Sequence, residues 1–203
     1  LGGGFASVSA AQEFARANDG SLEVTVVSAS RGFVLYPALV PYVFGAVDAH
    51  EIRFDLASRL TASGIRFIEA EAISIDQKRR MAAITGTDVE GLLHFDYLLV
   101  ALGRRAAAAT VGGFHEFAHH LLDLESADKF RSALDSFTAG SIVVALAPGG
   151  TLPIPVCETA LGLADKFAAA IKKGTVSVSA VFPRGIDDAL HGGHAEAGRL
   201  AAR

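Results

Sequence analysis

The stretch LGGGFASVSAAQEFARANDGSLEVTVVSAS, residues 1–30, decides the predicted fold. Three consecutive glycines open it, and small and apolar residues from about Phe5 to Arg16 predict a helix. The β-branched residues between Ser21 and Ser30 predict a buried strand. A glycine cluster that begins a helix normally follows a strand, which here would precede Leu1. The stretch therefore predicts the β-α-β start of a doubly wound parallel sheet whose first strand is missing from the chain.

The remainder of the chain continues an α/β pattern. Two antiparallel strands joined at residues 76–80, and a short strand at LLHF, predict a small antiparallel sheet. A second β-α-β begins near residue 142. These patterns predict a Rossmann-like domain over residues 1–110, a linker and helix over 111–139, and the start of a second dinucleotide-binding-like domain over 140–203. Further predicted elements are helices over 51–64, 125–137 and about 155–172, two strands within 65–86, and strands over 96–105 and 175–183.

Composition narrows the classes of function. The chain has 203 residues and is 51% hydrophobic, so it can bury a core. Its net charge of −4 does not suggest nucleic-acid binding. One cysteine excludes a disulfide framework within the chain, and without a secretory signal we expect a cytoplasmic protein. The apolar stretch Phe33–Val47 contains Pro37 and Pro41 and is shorter than the roughly 20 residues that span a bilayer. It could instead line a pocket or touch a membrane surface.

The glycine cluster fits a site for a pyrophosphate. Gly2 stands where a dinucleotide loop needs a tight turn, Gly4 stands where the phosphates approach the backbone, and Ser7 takes the third glycine position. The phosphates would lie on the helix N-terminus, which favours negative charge. Ser28 falls where an acidic residue usually binds the ribose, and a hydroxyl lacks the charge of a carboxylate. The alternative is a glycine-rich turn that binds nothing.

Several segments occur together in a familiar order: LGGGFASVSAAQEF, EVTVVSAS, FVLYPALVPYVFG, GIRFIEAEAISID and FDYLLVALGRR. Together they resemble the two-dinucleotide-domain flavoproteins of the pyridine nucleotide-disulfide oxidoreductase superfamily. That family includes type II NADH dehydrogenases, sulfide:quinone oxidoreductases and flavocytochrome c sulfide dehydrogenases. The resemblance covers about the first half of a member and implies a Rossmann-like FAD-binding domain. The implied FAD contacts are Gly2, Gly4 and Phe5 at the pyrophosphate, Ser28 and Ala29 at the ribose, Ala72 at the adenine, Ala101 and Gly103 near the adenosine, and Pro37 near the isoalloxazine ring.

The second β-α turn indicates the branch of the family. NADH-using members have a second G-x-G-x-x-G two residues before a Glu, and counting back from Glu158 places Thr151, Pro153 and Val156 at its glycine positions. Pro153 has no N–H to donate to a phosphate. The signature from Pro155 to Glu158 instead resembles the sulfide-oxidising branch. This resemblance implies electron transfer from a sulfur compound through FAD to a quinone or another acceptor, with peripheral membrane contact through a further C-terminal half. A type II NADH dehydrogenase-like flavoprotein and a non-catalytic nucleotide-binding or interaction protein remain the alternatives.

Two residues at this turn are candidates for catalysis. Sulfide-oxidising members carry a redox cysteine where this chain has Leu152, and often another where it has Leu122. A disulfide needs two cysteines about 5.5–6 Å apart between Cα atoms, and this chain has one. Cys157 near a helix N-terminus could form a reactive thiolate, or it could be a small buried apolar residue. The resemblance places Glu158 near the flavin for proton or quinone handling; the alternative is a carboxylate favoured by the helix dipole.

One further motif points to different chemistry. HEFAHH, residues 115–120, contains H-E-x-x-H, which on a helix binds zinc with Glu as the base. Here it follows two glycines within a predicted linker. We therefore expect no metal site and interpret these histidines as surface residues.

Overall fold

The computed structural model describes residues 1–103, 111–147, 150 and 152–183. The chain forms two compact units. Unit 1 comprises Leu1–Val34 and Arg53–Arg105, and unit 2 comprises Leu35–Ile52 and Ala106–Arg203. The domain limits at residues 110 and 139 stay a prediction, and residues 104–110, 148, 149, 151 and 184–203 lie outside the described residues.

Unit 1 is built around a parallel pair of strands. Helix α1 (Phe5–Ala17) leads to strand β1 (Thr25–Ser28), which pairs in parallel with β4 (Arg66–Glu69). The apolar side chains of β1 alternate between two faces because successive strand residues point to opposite sides. Val26 joins a buried cluster with Ala11 of α1, whereas Val27 packs on the other side with Ile68 and Ile84. The sheet is thus covered on both faces, as its continuous apolar sequence predicts.

Two antiparallel sheets complete unit 1. Strand β2 (Gly32–Val34) pairs with β3 (Arg53–Asp55), and β5 (Glu71–Asp76), β6 (Met81–Thr85) and β7 (Glu90–His94) form a three-stranded sheet. Helix α4 (Leu56–Ala62) begins directly after β3, because the Asp55 carboxylate accepts a hydrogen bond from Ser58 N at 3.3 Å. Hydrogen bonds from Ser58, followed by the nearby charge of Arg31, lower the pKa of Asp55.

Three expectations for unit 1 are corrected by the structure. Residues 51–64 do not form one helix, because residues 53–55 extend to pair with β2 and separate a helix that ends at Ile52 from a second one over residues 56–62. Residues 66–69 join the parallel pair rather than an antiparallel hairpin. Residues 96–103 form no strand, although Ala101 N donates to Leu1 O at 2.8 Å and the Leu1 amino group donates to Leu99 O at 2.6 Å. Among the described residues, residues 96–103 find their backbone partner in Leu1. Two hydrogen bonds to a single residue do not form the ladder that defines a strand.

Unit 2 contains a helical part in which α2 (Leu39–Val43) packs against α6 (Leu124–Ser136). A 3-10 turn at Tyr36–Ala38 precedes α2, and the short helices α3 (Ala49–Ile52) and α5 (Phe114–Phe117) also belong to this unit. The buried Tyr42 hydroxyl donates to the Asp128 carboxylate, and the Arg131 guanidinium lies 5.3 Å from the centre of the Tyr42 ring. Asp123 begins α6 by accepting a hydrogen bond from Ser126 N at 2.7 Å.

The other part of unit 2 is a second β-α-β. Strand β8 (Gly140–Ala145) pairs in parallel with β9 (Val176–Val181), and α7 (Ile154–Lys166) and α8 (Ala168–Lys172) connect them. The helix expected over 155–172 is interrupted at Phe167, whose backbone leaves the helical conformation. The two parallel pairs, together with the two antiparallel sheets of unit 1, confirm the predicted α/β fold class. None of the helices in the described part of the chain is both long and apolar enough to cross a bilayer.

Candidate functional site

The glycine loop of unit 1 lies at the carboxyl end of β1. Gly2 N donates to Val27 O at 2.8 Å, one residue before the end of the strand. Ala70, which directly follows β4, donates from its N–H to Ser28 O at 2.9 Å. The glycine loop and the ends of both parallel strands therefore meet at one edge. In open α/β sheets, ligands bind at this carboxyl edge.

Each of the three glycines has a different environment. Gly2 has a φ of +112°, a conformation that side chains disfavour, and a Cβ on it would lie 2.1 Å from Ala101 O. A Cβ on Gly3 would lie 2.3 Å from Ser28 Oγ. A Cβ on Gly4 would meet nothing within 4 Å. Gly2 and Gly3 thus allow the loop to pack on its neighbours, and Gly4 faces open space.

The start of α1 leaves backbone donors available beside that space. Gly4 is its N-cap and makes no side-chain cap, and the first helical hydrogen bond runs from Val8 N to Gly4 O at 3.0 Å. The N–H groups ahead of Val8 in the first turn have no acceptor within the helix. No proline and no acidic residue occupies this turn. Open space, free donors and the positive end of a 13-residue helix fit a pyrophosphate.

Other residues that the sequence suggested for the cofactor lie in the same unit. Ser28 ends β1 and is half-buried, and Ala29 follows it and is exposed. Ala72 is half-buried in β5 and pairs with Ile84. Ala101 contacts the glycine loop through Leu1, and Gly103 has a φ of +73° with open space beside its Cα.

Aromatic side chains flank the start of α1. Phe5, the first residue of the helix, is 49% exposed and meets the Phe33 ring edge to face at 4.9 Å between centroids. Phe33 in turn contacts Phe54 at 6.3 Å, and the guanidinium of Arg59 lies 4.7 Å from the centre of the Phe54 ring. The contacts among Phe5, Phe33 and Phe54 hold Phe5 beside the glycine loop, while about half of its side chain stays exposed to solvent.

The remaining predicted site residues lie in unit 2. Pro37 is exposed in the 3-10 turn. Near the start of α7, Cys157 at its fourth position is a half-buried free thiol, and Glu158 at its fifth position is exposed. Leu152, where the resemblance expects a redox cysteine, is 57% exposed. Thr151 lies outside the described residues.

The start of α7 offers few backbone donors. Its N-cap is the buried Pro153, and a second proline, Pro155, follows at the second helical position. Neither has an N–H. The N–H groups of Val156 and Cys157 both donate to Pro153 O, at 3.0 and 3.1 Å. Ile154, 60% exposed, is left as the donor of this turn.

The histidine motif does not form the helical arrangement of a zinc protease. Helix α5 ends at Phe117, so His115 and His119 do not share a helix. His119 stacks on Phe130 with 5.7 Å between ring centroids, and His120 stacks on Phe114 at 5.0 Å. Across the ranges that the structure describes, no three His, Cys, Asp or Glu side chains are grouped as a metal site.

Two residues of the carboxyl edge were not among the sequence-based candidates. Gly3 contacts Ser28 beneath the loop, and the run of three glycines was the available signal. Glu69 ends β4 in register with Ser28. Only the parallel pairing of residues 66–69 brings Glu69 to this edge, and the sequence assigned those residues to an antiparallel hairpin.

Comparisons with known proteins agree with this architecture. An external alternative NAD(P)H-ubiquinone oxidoreductase B3 from Arabidopsis thaliana, a mitochondrial protein, is 29% identical over 135 residues, covering 62% of this chain and 23% of that protein. The structure of sulfide:quinone oxidoreductase from Aquifex aeolicus matches with a TM-score of 0.82 and 22% identity, over 100% of this chain and 46% of that chain. NDH2 from Plasmodium falciparum matches with a TM-score of 0.64 and 17% identity, over 88% of this chain and 39% of that chain.

The chain spans about a quarter of the length of the curated relative described above and under half of each of the two structures. The structural matches support the fold, including the parallel sheet at whose edge the glycine loop lies. Residues 1–150 match the pyridine nucleotide-disulphide oxidoreductase family. FAD is the cofactor of this family, as the sequence predicted, and the open, donor-rich start of α1 fits its pyrophosphate. The chain belongs to the pyridine nucleotide-disulphide oxidoreductase family.

Proposed function

We propose that this chain is the FAD-binding part of an oxidoreductase of the sulfide:quinone type, which passes electrons from a sulfur compound through FAD to a quinone or another acceptor. FAD supplies the chemistry of accepting and releasing an electron pair. In this proposal Gly2, Gly4 and Phe5 hold its pyrophosphate. The adenosine contacts are Ser28, Ala29, Ala72, Ala101 and Gly103, and Pro37 lies near the isoalloxazine ring.

The observation that carries the choice of donor is the contrast between two helix starts. Helices α1 and α7 each have 13 residues. The start of α1 is open and has free N–H groups, whereas two prolines remove donors at the start of α7 and Val156 N also donates to Pro153 O. A nicotinamide dinucleotide needs such donors for its pyrophosphate. The start of α7 therefore supports a donor other than NADH.

We assign two residues of α7 to the proposed reaction. Glu158, the fifth residue of α7, is exposed, so its carboxylate can exchange protons with solvent or with an acceptor. Cys157, the fourth residue of α7, is the free thiol of the chain and is half-buried. Leu152 cannot form a disulfide, so this part of the chain holds one sulfur atom rather than a pair. We propose that Glu158 handles protons and that Cys157 contacts the sulfur compound.

The sequence relative favours a second candidate. The Arabidopsis protein is named as an NAD(P)H-ubiquinone oxidoreductase, and it shares the quinone acceptor with the first candidate. A type II NADH dehydrogenase-like activity would use the same FAD site in unit 1. It would require a nicotinamide site that does not depend on the start of α7. A quinone acceptor also supports a protein that works at the cytoplasmic side in peripheral contact with a membrane.

Visible spectroscopy of the complete natural protein tests these proposals. The oxidised protein should show a flavin band near ~450 nm, because bound FAD is the premise. Anaerobic sulfide should bleach the band, and a short-chain quinone should restore it. Glu158→Gln should slow reoxidation by quinone and leave the flavin content unchanged. Glu90→Gln, the same change on β7, is the matched control.

Each alternative gives its own result. Bleaching by NADH but not by sulfide would transfer the assignment to the NADH dehydrogenase type. A flavin band that neither donor bleaches would indicate a non-catalytic flavin-binding protein. If the protein has no flavin band and added FAD leaves its melting temperature unchanged, the FAD site itself is wrong, since a ligand that binds the native state must stabilise it.

A further inference from the structure

The carboxyl end of β1 lacks the acidic residue that commonly binds an adenosine ribose, and the serine in its place is already engaged. Ser28 Oγ donates to Ser30 O at 3.1 Å and accepts from Ser30 N at 3.3 Å. It also lies beneath Gly3, where an added Cβ would be 2.3 Å away. The hydroxyl has therefore used its one donor and lies within the packing of the loop. It is poorly placed to serve two ribose hydroxyls.

The neighbouring strand brings a carboxylate to the same edge. Glu69 is the last residue of β4 and is the register partner of Ser28. Neighbouring strands lie about 4.8 Å apart, and register partners in a parallel pair project to the same face. Because Ser28 contacts Gly3 on that face, the Glu69 side chain projects on the face that carries the glycine loop.

The backbone of Glu69 is held firmly, while its side chain is exposed. A Cβ on Gly86 would lie 2.3 Å from Glu69 O, so the turn after β6 packs directly on this carbonyl. Ala70 N donates to Ser28 O, which ties the two strand ends together. Within the described ranges, no ion pair or side-chain hydrogen bond engages the Glu69 carboxylate. The carboxylate is thus free to accept hydrogen bonds from a ligand.

We propose that Glu69 binds the adenosine ribose of FAD, with its carboxylate accepting hydrogen bonds from the ribose hydroxyls. This inference rests on the proposed binding of FAD at the glycine loop. A carboxylate offers two oxygens to two neighbouring hydroxyls, and its charge strengthens both bonds. The acidic group is thereby supplied by β4 rather than by β1.

Calorimetric titration of the full chain, freed of flavin, tests this assignment. The probes are ADP, 2′-deoxy-ADP and 3′-deoxy-ADP, which share the pyrophosphate and differ in one hydroxyl. Glu69→Gln keeps the shape of the side chain and removes its charge, and it should weaken ADP binding about tenfold. For at least one deoxynucleotide, the affinities of wild type and Glu69→Gln should differ by less than about threefold, because the hydroxyl that Glu69 would bind is absent. Glu90→Gln, an equal change of charge on β7, should bind all three probes as wild type does.

The outcomes separate this inference from the FAD site. If wild type binds ADP, Gly4→Ser weakens that binding and Glu69→Gln does not, the glycine loop binds the pyrophosphate and the role of Glu69 is overturned. The role of Glu69 is also overturned if Glu69→Gln binds both deoxynucleotides tenfold more weakly than wild type does, because the effect then does not act through the hydroxyls. If wild type binds neither ADP nor FAD, both proposals fail. Circular dichroism of Glu69→Gln shows whether this variant has kept its fold. If it has not, Glu69→Asp, which keeps the charge, replaces it in the titrations. Glu69→Asp should then bind ADP more tightly than 2′-deoxy-ADP or 3′-deoxy-ADP.

Discussion

Gly3 and Ser28 are packed so closely that no side chain fits between them. A Cβ on Gly3 would lie 2.3 Å from Ser28 Oγ, 2.9 Å from Ser28 Cβ and 3.0 Å from Leu56 Cδ2. Ser28 Oγ cannot turn away without losing its two hydrogen bonds with Ser30. The glycine loop therefore rests on the end of β1, and this contact fixes the position of the backbone that leads into Gly4.

Gly3→Ala should destabilise unit 1. The added methyl group overpacks a tight contact, a change that typically costs about 1–3 kcal/mol. Urea unfolding followed by circular dichroism measures the loss. In a Ser28→Gly background the same substitution should cost less than about 1 kcal/mol, because both clashing Ser28 atoms are absent. Equal costs in the two backgrounds would show that Ser28 is not the obstacle.

Gly4→Ser should separate binding from folding. Serine is a favourable N-cap, so the helix should keep its stability within about 0.5 kcal/mol or gain slightly. The new side chain enters the open space beside Gly4 and competes for the N–H groups that would hold the pyrophosphate. We expect FAD affinity to fall at least about tenfold, as measured by fluorescence titration with FAD. Unchanged affinity would place the pyrophosphate away from α1.

The local elements could be predicted from the sequence where one periodicity prevails. The helix from Phe5, the turn at residues 76–80 and the helix near residue 125 all have clear boundaries, and the structure confirms them. The glycine cluster likewise identified the loop because glycine has few other uses before a helix. These signals are local, so they do not depend on which strands become neighbours.

Pairing between distant segments could not be predicted in this way. Residues 66–69 have the apolar character of a hairpin strand as much as of a parallel one, and only their register with residues 25–28 decides between the two. Arg53–Asp55 continue a helical pattern but extend because β2 offers them a partner. Glu69 was missed for the same reason, since its place beside Ser28 exists only after the strands have paired.

Asp123→Ala should weaken α6 in unit 2. Its carboxylate accepts from Ser126 N, and loss of such a cap costs about 1 kcal/mol. Partial burial would raise the pKa of Asp123, but the hydrogen bonds from Ser126 outweigh it and lower the pKa below its usual value. The stabilisation is therefore present above the unfolded pKa near 3.8 and is lost as pH falls through the lower folded value.

Asp123→Asn is the matched control for the charge. Asparagine caps helices about as well as aspartate but does not titrate in this range, so the variant should stay stable near pH 7 and lose the acid dependence of this cap. Hydrogen exchange of α6 amides at pH 7 and below pH 4 measures both effects. An Asn variant as unstable as the Ala variant at pH 7 would show that the cap depends on charge rather than on hydrogen-bond geometry.

Gly162→Ala should destabilise unit 2 although alanine favours helices. A Cβ on this α7 residue would lie 2.5–2.8 Å from three carbons of the Phe44 ring. Overpacking of about 1–3 kcal/mol exceeds the gain of about 1 kcal/mol in helix propensity. In a Phe44→Ala background the ring is absent, and Gly162→Ala should become stabilising. A double-mutant cycle by urea unfolding checks this reversal of sign, and a loss of equal size in both backgrounds would contradict it.

Tyr42→Phe should loosen the contact between α2 and α6 and change its response to alkaline pH. The hydroxyl donates to Asp128, and its loss should cost about 1 kcal/mol. That hydrogen bond, then burial, then the charge of Asp128 raise the pKa of Tyr42, against the opposing effect of Arg131. Because the folded pKa is raised, the stabilisation is present below the unfolded value near 10 and is lost as pH rises through the folded pKa. Hydrogen exchange of α2 amides should thus show a difference between wild type and Tyr42→Phe at pH 7 that shrinks above pH ~10. Tyr97→Phe, at a tyrosine that is 93% exposed, is the control and should leave the exchange of α2 amides unchanged at both pH values. If the difference in exchange between wild type and Tyr42→Phe stays constant with pH, the role of the Tyr42 hydroxyl is contradicted.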